Sequence, residues 1–287
     1  NSLISDKDQL FEASNLTEKI KKNKIHIDVL FVDVYKINAV WEEKIKTSTD
    51  KLFAIDDLAN RDHYADYIID QNAGRTETDY KIHNLNRGKI LSGTRFAIIN
   101  QDIADHRDKA LRIRKKIKNK NILINFGSSS HESLYSQFIN SLISSGDMQG
   151  KSISLLSSNK TSNEFKDLLD SLKVRLLTSL SPIELAKLYI SSDFCIGAGG
   201  VSALERCCLG LPSGVVCIAE NQYPGSVQLE KKGCIKLLNN FPDLTVSIDI
   251  IKNLLNDDNQ LKELSINSLN EVDGNGLKRI LSEVENA

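Results

Sequence analysis

The chain predicts an α/β fold with parallel sheets, divided into two domains. Three observations carry this. Short apolar runs of strand length alternate with amphipathic stretches of helical period along the 287 residues, a charged stretch interrupts the alternation once, and the pattern restarts more regularly after it. In the first half the strand candidates are 27–32, 52–55, 67–70 and 90–92, with helix signals at 17–22 and 37–46. The stretch from 102 to 120 contains Arg112, Arg114, Lys115, Lys116 and Lys118. Such a run binds phosphate or, as charge runs usually do, faces solvent as an exposed helix or linker. It divides the chain into a first domain over 1–105, a linker helix over 106–120 and a second domain over 121–287. In the second half the strands are 122–126, 153–156, 175–178, 194–196, 215–218 and 235–238, each followed by a helical stretch, the pattern of a doubly wound domain. Ser181-Pro182-Ile183-Glu184 supplies an N-cap, a proline at the first helical position and a glutamate at the third, so a helix starts there.

Composition narrows the function. Hydrophobic residues make up 40% of the chain, ample for two buried cores. With 37 Lys+Arg against 38 Asp+Glu the formal net charge is −1, which gives no electrostatic argument for nucleic acid or an anionic membrane surface. The expected partner is a small molecule. No apolar run reaches the roughly 18 residues that span a bilayer, and the first residues resemble no secretory signal, so no transmembrane segment and a cytoplasmic location are expected. Cys195, Cys207, Cys208, Cys217 and Cys234 lack the paired spacings of a zinc site and lie mostly in apolar segments, as reduced core residues do. No Asp-x-Asp pair accompanies the glycine loops of the second half, and the adjacent Asp56 and Asp57 would point apart in a strand, so neither a divalent metal nor a cofactor is expected.

The most informative stretch is Gly197-Ala198-Gly199-Gly200-Val201-Ser202-Ala203-Leu204-Glu205, directly after the strand at 194–196. Glycines let a backbone approach a ligand and take positive φ, and the free N–H groups of a helix beginning near Val201 suit a pyrophosphate. Glu205, one turn in, can accept hydrogen bonds from ribose hydroxyls. Ser202-x-x-Glu205 is equally a capping box that would merely satisfy the helix start.

Two further loops leave strands at the same sheet edge, where doubly wound folds bind ligands. Gly127, Ser128 and Ser129 offer backbone donors and hydroxyls to phosphate, or plain capping before a helix at Glu132. Asn221 and Gln222 are of the kind that read sugar hydroxyls or acetamido groups, or they form an ordinary polar loop. In the first half Asp33 and Asp57 stand at carboxyl ends of strands, where each would orient water or a sugar hydroxyl, or cap the next helix or turn. Tyr35 and Asn72 are similarly placed. His26, His63, His83, His106 and His131 have no motif linking them to a nucleophile or metal and read as satisfied or solvated side chains.

With those residues in place, the second half resembles the nucleotide-sugar domain of the GT-B superfamily, so the fold expected is two Rossmann-like domains of GT-B type. The resemblance assigns Gly127 to Ser129 to the first phosphate loop, 180–185 to the uracil pocket, Gly199 to Glu205 to phosphate and ribose, and Asn221-Gln222 to the sugar. Over the whole chain the similarity is closest to the UDP-sugar hydrolases of the pseudaminic acid pathway. Its carriers in the first half are Phe31-Val32-Asp33-Val34-Tyr35, Ala54-Ile55-Asp56-Asp57, the run from Tyr67 to Ala73, and the run from Gly93 to Ile99.

That resemblance implies metal-independent hydrolysis of a UDP-linked diacetamido-trideoxyhexose, with the sugar held between the two domains. Its members open with a strand and a Gly-x-Gly-His loop whose histidine is the base, and the chain shows no such segment. The first domain is therefore expected to be incomplete by one βαβ unit, through a missing N-terminal segment or a fusion, and to hydrolyse poorly by itself. A GT-B glycosyltransferase using a UDP-sugar donor, or a nucleotide-sugar binding module without turnover, are the other readings.

Overall fold

The computed structural model describes residues 3–115, 120–127, 132–144, 146, 148–157 and 161–285, without the side chains of Ser133 and Leu134. The chain forms two compact units, one of Asn1–Phe96 with Gly276–Ala287 and one of Ala97–Asn275. In chain order the elements up to residue 96 are α1 (Asp6–Lys22), β1 (Val29–Val32), α2 (Ala39–Lys46), β2 (Lys51–Ile55), β3 (Tyr67–Asp70) and β4 (Lys89–Ser92). They continue with α3 (Gln101–Ala104), α4 (Arg107–Ile113), β5 (Asn121–Asn125), α5 (Glu132–Ser144), β6 (Ser152–Leu156), α6 (Asn163–Ser171), β7 (Arg175–Leu177), α7 (Pro182–Ser191) and β8 (Phe194–Ala198). The last are α8 (Val201–Cys208), β9 (Ser213–Val216), α9 (Tyr223–Lys231), β10 (Lys236–Leu237), α10 (Ile248–Leu255), α11 (Asp258–Glu271) and α12 (Gly276–Glu285). Among the described residues no helix is long and apolar enough to cross a membrane.

In the first unit the strands lie in the order β1-β2-β3-β4, all parallel, with β1 at an edge. The pairings Val32↔Ala54 and Asp70↔Ser92 bring the strand ends level, so the residues after β1, β2 and β3 share one edge. Ser5 caps α1 by accepting from the Asp8 amide, and Ala13 and Ile20 of that helix join Trp41, Ile45, Leu52 and Ile68 in the core. The C-terminal helix groups with this unit, whereas the alternation alone places 121–287 together. Its ties are tertiary: Glu283 accepts from Lys89 Nζ, and Arg279 donates to the Arg95 carbonyl.

The second unit carries a parallel six-stranded sheet in the order β10-β9-β8-β5-β6-β7. Sequence order reverses between β5 and β8, which pair with Asn125 opposite Gly197. Phe126, just after β5, and Tyr135, Phe138 and Phe165 from α5 and α6 pack with Ile124 and Ile196 of the sheet. The N-terminus of α7 has the predicted Ser181–Glu184 capping box with proline in its first turn.

The described part of the charged stretch after residue 102 folds as α3 and α4 and groups with the second unit. Arg112 and Lys115 are exposed, as on a solvated helix, and Lys116 and Lys118 lie outside the described residues, but two arginines are drawn inward to carbonyls that close packing leaves without water. Arg107 donates to the carbonyls of Cys208, Leu269 and Val272. Arg114, 5% exposed, donates to those of Tyr189, Ser192 and Leu209. The five cysteines are free and buried, and burial pushes the Cys195 thiol up to about 11.

Candidate functional site

The ends of β5 and β8 form the point of strand-order reversal, the usual ligand crevice of an open α/β sheet. Gly127 follows β5 at φ +87°, with no described residue beyond its chain neighbours within 4 Å of where a Cβ would be, and its amide donates to Asn125 Oδ1 at 3.0 Å. Ser128 and Ser129, with Ser130 and His131, lie outside the described residues. Gly200 follows β8 with φ 71° and ψ −149°, a region open in practice to glycine alone, and it is the N-cap of α8 without any side-chain cap bond. Ser202 therefore sits inside the first turn, and the capping-box alternative falls. The amides of Val201 and Ser202 have no backbone acceptor among the described residues, as expected of an uncapped helix start.

Gly199 explains how the loops meet. A Cβ there would lie 2.8 Å from Ser226 Oγ, 3.0 Å from Gln222 Cβ and 3.4 Å from Gln222 Oε1, so the turn and the segment after β9 touch. Asn221 and Gln222 occupy a 3-10 turn, where Gln222 Oε1 accepts from the Ile218 amide at 3.1 Å. Glu205 is half-buried in α8; burial pushes its carboxyl up while Arg206 pulls it down. No hydrogen bond or ion pair to that carboxylate occurs among the described residues. At 180–185, Ser181 and Glu184 bond each other at the helix start, so both side chains are already engaged.

Two side chains at this turn were not foreseen. Ser226 is 2% exposed, and its hydroxyl faces Gly199 with only the weak approach of the Cys217 thiol. Arg206 is fully buried, with Nε on Ser213 Oγ at 3.1 Å, Nη2 on the Ala198 carbonyl at 2.6 Å, and Nη1 without a hydrogen-bond partner. The signal for Arg206 was a guanidinium among the apolar Ala203, Leu204, Cys207 and Cys208; that for Ser226 was its position one turn after Gln222.

In the first unit the strand-end edge gathers three of the four predicted polar residues. Tyr35 donates to Asp57 Oδ2 at 2.7 Å, and Asn72 Nδ2 donates to the Asp57 carbonyl at 3.2 Å. Asp33 is exposed after β1, with no hydrogen bond to that group among the described residues. Asp56 turns inward, as its neighbour's opposite direction requires, to Arg61 Nη1 at 2.6 Å, Tyr80 at 2.8 Å and the Ala59 amide at 2.7 Å. The Tyr80 hydroxyl is also 2.8 Å from Asp70, whose other close partners are Arg75 Nε at 2.8 Å and the Asn72 amide at 2.9 Å. Burial pushes Asp70 up to about 6 against the pull of the Asn72 amide, Tyr80 and Arg75. Burial and the two carboxylates raise Tyr80 as well.

His63 is buried with Nδ1 beside Glu42 at 2.8 Å, and the second Glu42 oxygen accepts from the Tyr64 amide. The His63 Nε2, however, has no hydrogen-bond partner and stands 3.9 Å from Asp56 Oδ1, so the histidine is only half satisfied. His83 bonds Asp62 and His106 the Asp102 carbonyl. Among the described residues the one group spaced to hold a metal is His26, Asp28 and Asp50. It is exposed at the opposite ends of β1 and β2, and its members already pair at 3.4 and 3.1 Å.

By sequence, neither a family model nor a curated protein matches the chain. Solved structures do match its fold. UDP-GlcNAc 2-epimerase from Neisseria meningitidis, bound to UDP-GlcNAc, is similar at a TM-score of 0.68 with 14% identity, over 99% of this chain and 83% of that one. MurG from Acinetobacter baumannii gives 0.66 with 13% identity, over 97% and 78% respectively. The S. aureus MnaA–UDP co-structure gives 0.62 with 12% identity, over 99% and 82%. The chain thus has a GT-B-like fold of parallel, Rossmann-type α/β units.

Proposed function

We propose that the chain is an enzyme that binds a UDP-sugar at the turn from Gly199 to Glu205 and hydrolyses it. The observation that carries this is an uncapped helix start whose free amides, glycine backbone and unmet Ser226 and Arg206 groups meet at a ligand crevice. The similarity to folds solved with UDP and UDP-GlcNAc supports it. Gly127, Gly199, Gly200 and Ser202, with Ser128 and Ser129, would take the pyrophosphate, Glu205 the ribose, and Asn221 and Gln222 the sugar's amide groups. Tyr35, Asp57 and Asn72, with Asp33, are assigned to orienting the sugar and water. Water attacks the anomeric carbon and gives up a proton to a strand-end carboxylate, Asp57 or Asp33, and on to solvent, the bond to the phosphate oxygen breaks, and UDP leaves as the amides stabilise the charge it gains. No metal enters the scheme. The substrate, a UDP-linked diacetamido-trideoxyhexose, rests on the resemblance of 31–35, 54–57, 67–73 and 93–99.

The test is incubation of the full chain with that UDP-sugar while free UDP and free sugar are followed, beside calorimetry of UDP binding. UDP release without an acceptor supports hydrolysis, release only with an acceptor alcohol makes it a transferase, and binding without release makes it a binding module. Glu205→Ala should weaken UDP binding by about 1–3 kcal/mol, the scale for an unmet hydrogen bond involving a charged group. Unchanged affinity in a folded variant would remove Glu205 from the site.

A further inference from the structure

We propose that Arg206 is a buried counter-charge beneath the Gly199–Ser202 turn and makes it select ligands by the negative charge on their phosphates. This rests on the reading of that turn as a phosphate site. Arg206 heads the largest fully buried side chains among the described residues, and all its hydrogen-bond partners are neutral. The other buried guanidiniums have either a carboxylate or a full set of acceptors, although Arg61 Nε is without a hydrogen-bond partner. Arg61 pairs with Asp56 at 2.6 Å, and Arg114 has Nε, Nη1 and Nη2 each on a carbonyl. Arg206 alone of these three lacks both a carboxylate partner and a full set of acceptors among the described residues.

Its direction matters. Arg206 belongs to the last turn of α8, where the dipole favours a cation, yet its side chain reaches back to Ala198 at the start of the turn. There the guanidinium joins the positive end of the helix, so two sources of positive potential meet, and the half-buried Glu205 carboxylate feels Arg206 without hydrogen-bonding it. The strand makes room for this: a Cβ on Gly197 would stand 2.9 Å from Nη1 and 3.0 Å from Cζ. A buried charge is costly unless compensated, and a multiply charged phosphate at the free amides supplies the compensation. Arg206 acts through the low-dielectric interior, as a positioning residue, and not by contact with the reacting atoms.

The experiment is calorimetry of the full chain and its Arg206→Lys and Arg206→Met variants with UDP, UMP and uridine. Arg206→Met should lose at least tenfold in UDP affinity and less in UMP affinity, while uridine changes less than twofold and Arg206→Lys keeps most of the UDP affinity. UDP and uridine falling by one factor, or UDP unchanged, overturns the proposal while leaving the phosphate site standing. A wild-type chain that binds no UDP sinks that site and this proposal together. Should Arg206→Met fail to fold, thermal unfolding of the wild type decides: inorganic pyrophosphate should raise Tm more than orthophosphate at equal ionic strength, and equal shifts overturn the selection by charge.

Discussion

Replacing Asp70 with asparagine tests the buried polar network of the first unit. The Tyr80 hydroxyl stands 2.8 Å from both Asp56 and Asp70 but carries one proton, so the second contact is a hydrogen bond only when a carboxyl is protonated. Burial selects Asp70, raised from 3.8 to about 6. At 1.36 kcal/mol per pK unit, that rise corresponds to about 3 kcal/mol of preference for the protonated form in the folded state. A raised carboxyl pKa contributes stability that is fully present below about 4 and is lost as pH rises through about 6. Trp41, the sole tryptophan, is buried in α2 of this unit, so its fluorescence during urea unfolding reports the right region. The stability difference between wild type and Asp70→Asn should shift toward the variant by up to about 3 kcal/mol from about pH 4 to about pH 7.5. Any constant cost of the amide cancels in this comparison. A difference that does not change with pH would refute a proton held by Asp70.

Other perturbations address packing and the site. Gly88→Ala would place a Cβ 2.2 Å from the Ala65 carbonyl oxygen, a backbone clash that should destabilise the first unit by about 3 kcal/mol or more, read from the same Trp41 transition; a loss under about 1 kcal/mol would mean the loop gives way freely. Arg114→Ala strips the donors from three buried carbonyls and should lower the second unit's stability by about 3–5 kcal/mol, seen as a Tm drop of roughly 10 °C by circular dichroism. A drop of only a degree or two would show that water replaces the guanidinium. Gly200→Ala forces a side chain into φ 71° and ψ −149°, and should cost about 1–3 kcal/mol of stability and weaken UDP binding at least tenfold in the folded variant; normal affinity would separate the turn from the ligand. EDTA should leave UDP affinity unchanged, and loss restored by magnesium or manganese would introduce a metal into the scheme.

The parallel α/β architecture was legible in the chain because strand and helix periods are local. Predicted strands such as 52–55, 67–70 and 153–156 differ from β2, β3 and β6 by at most one residue at an end. The α7 start was legible for the same reason, since Ser181, Pro182 and Glu184 act within a single turn. What the tertiary structure alone decided involves partners far along the chain. Arg107 and Arg114 look like members of a solvated run until carbonyls from Tyr189 to Val272 fold around them. Residues 276–285 continue the second unit's alternation but bury their apolar side with the first, where Lys89 and the Arg95 carbonyl wait. At the candidate site, sequence left Ser202–Glu205 poised between capping box and ligand cradle. Gly200 removes the capping box, because it is itself the N-cap, in a conformation closed to other residues, while Gln222 and Ser226 crowd Gly199. That crowding joins side chains more than twenty residues apart, and no local pattern in either segment encodes it.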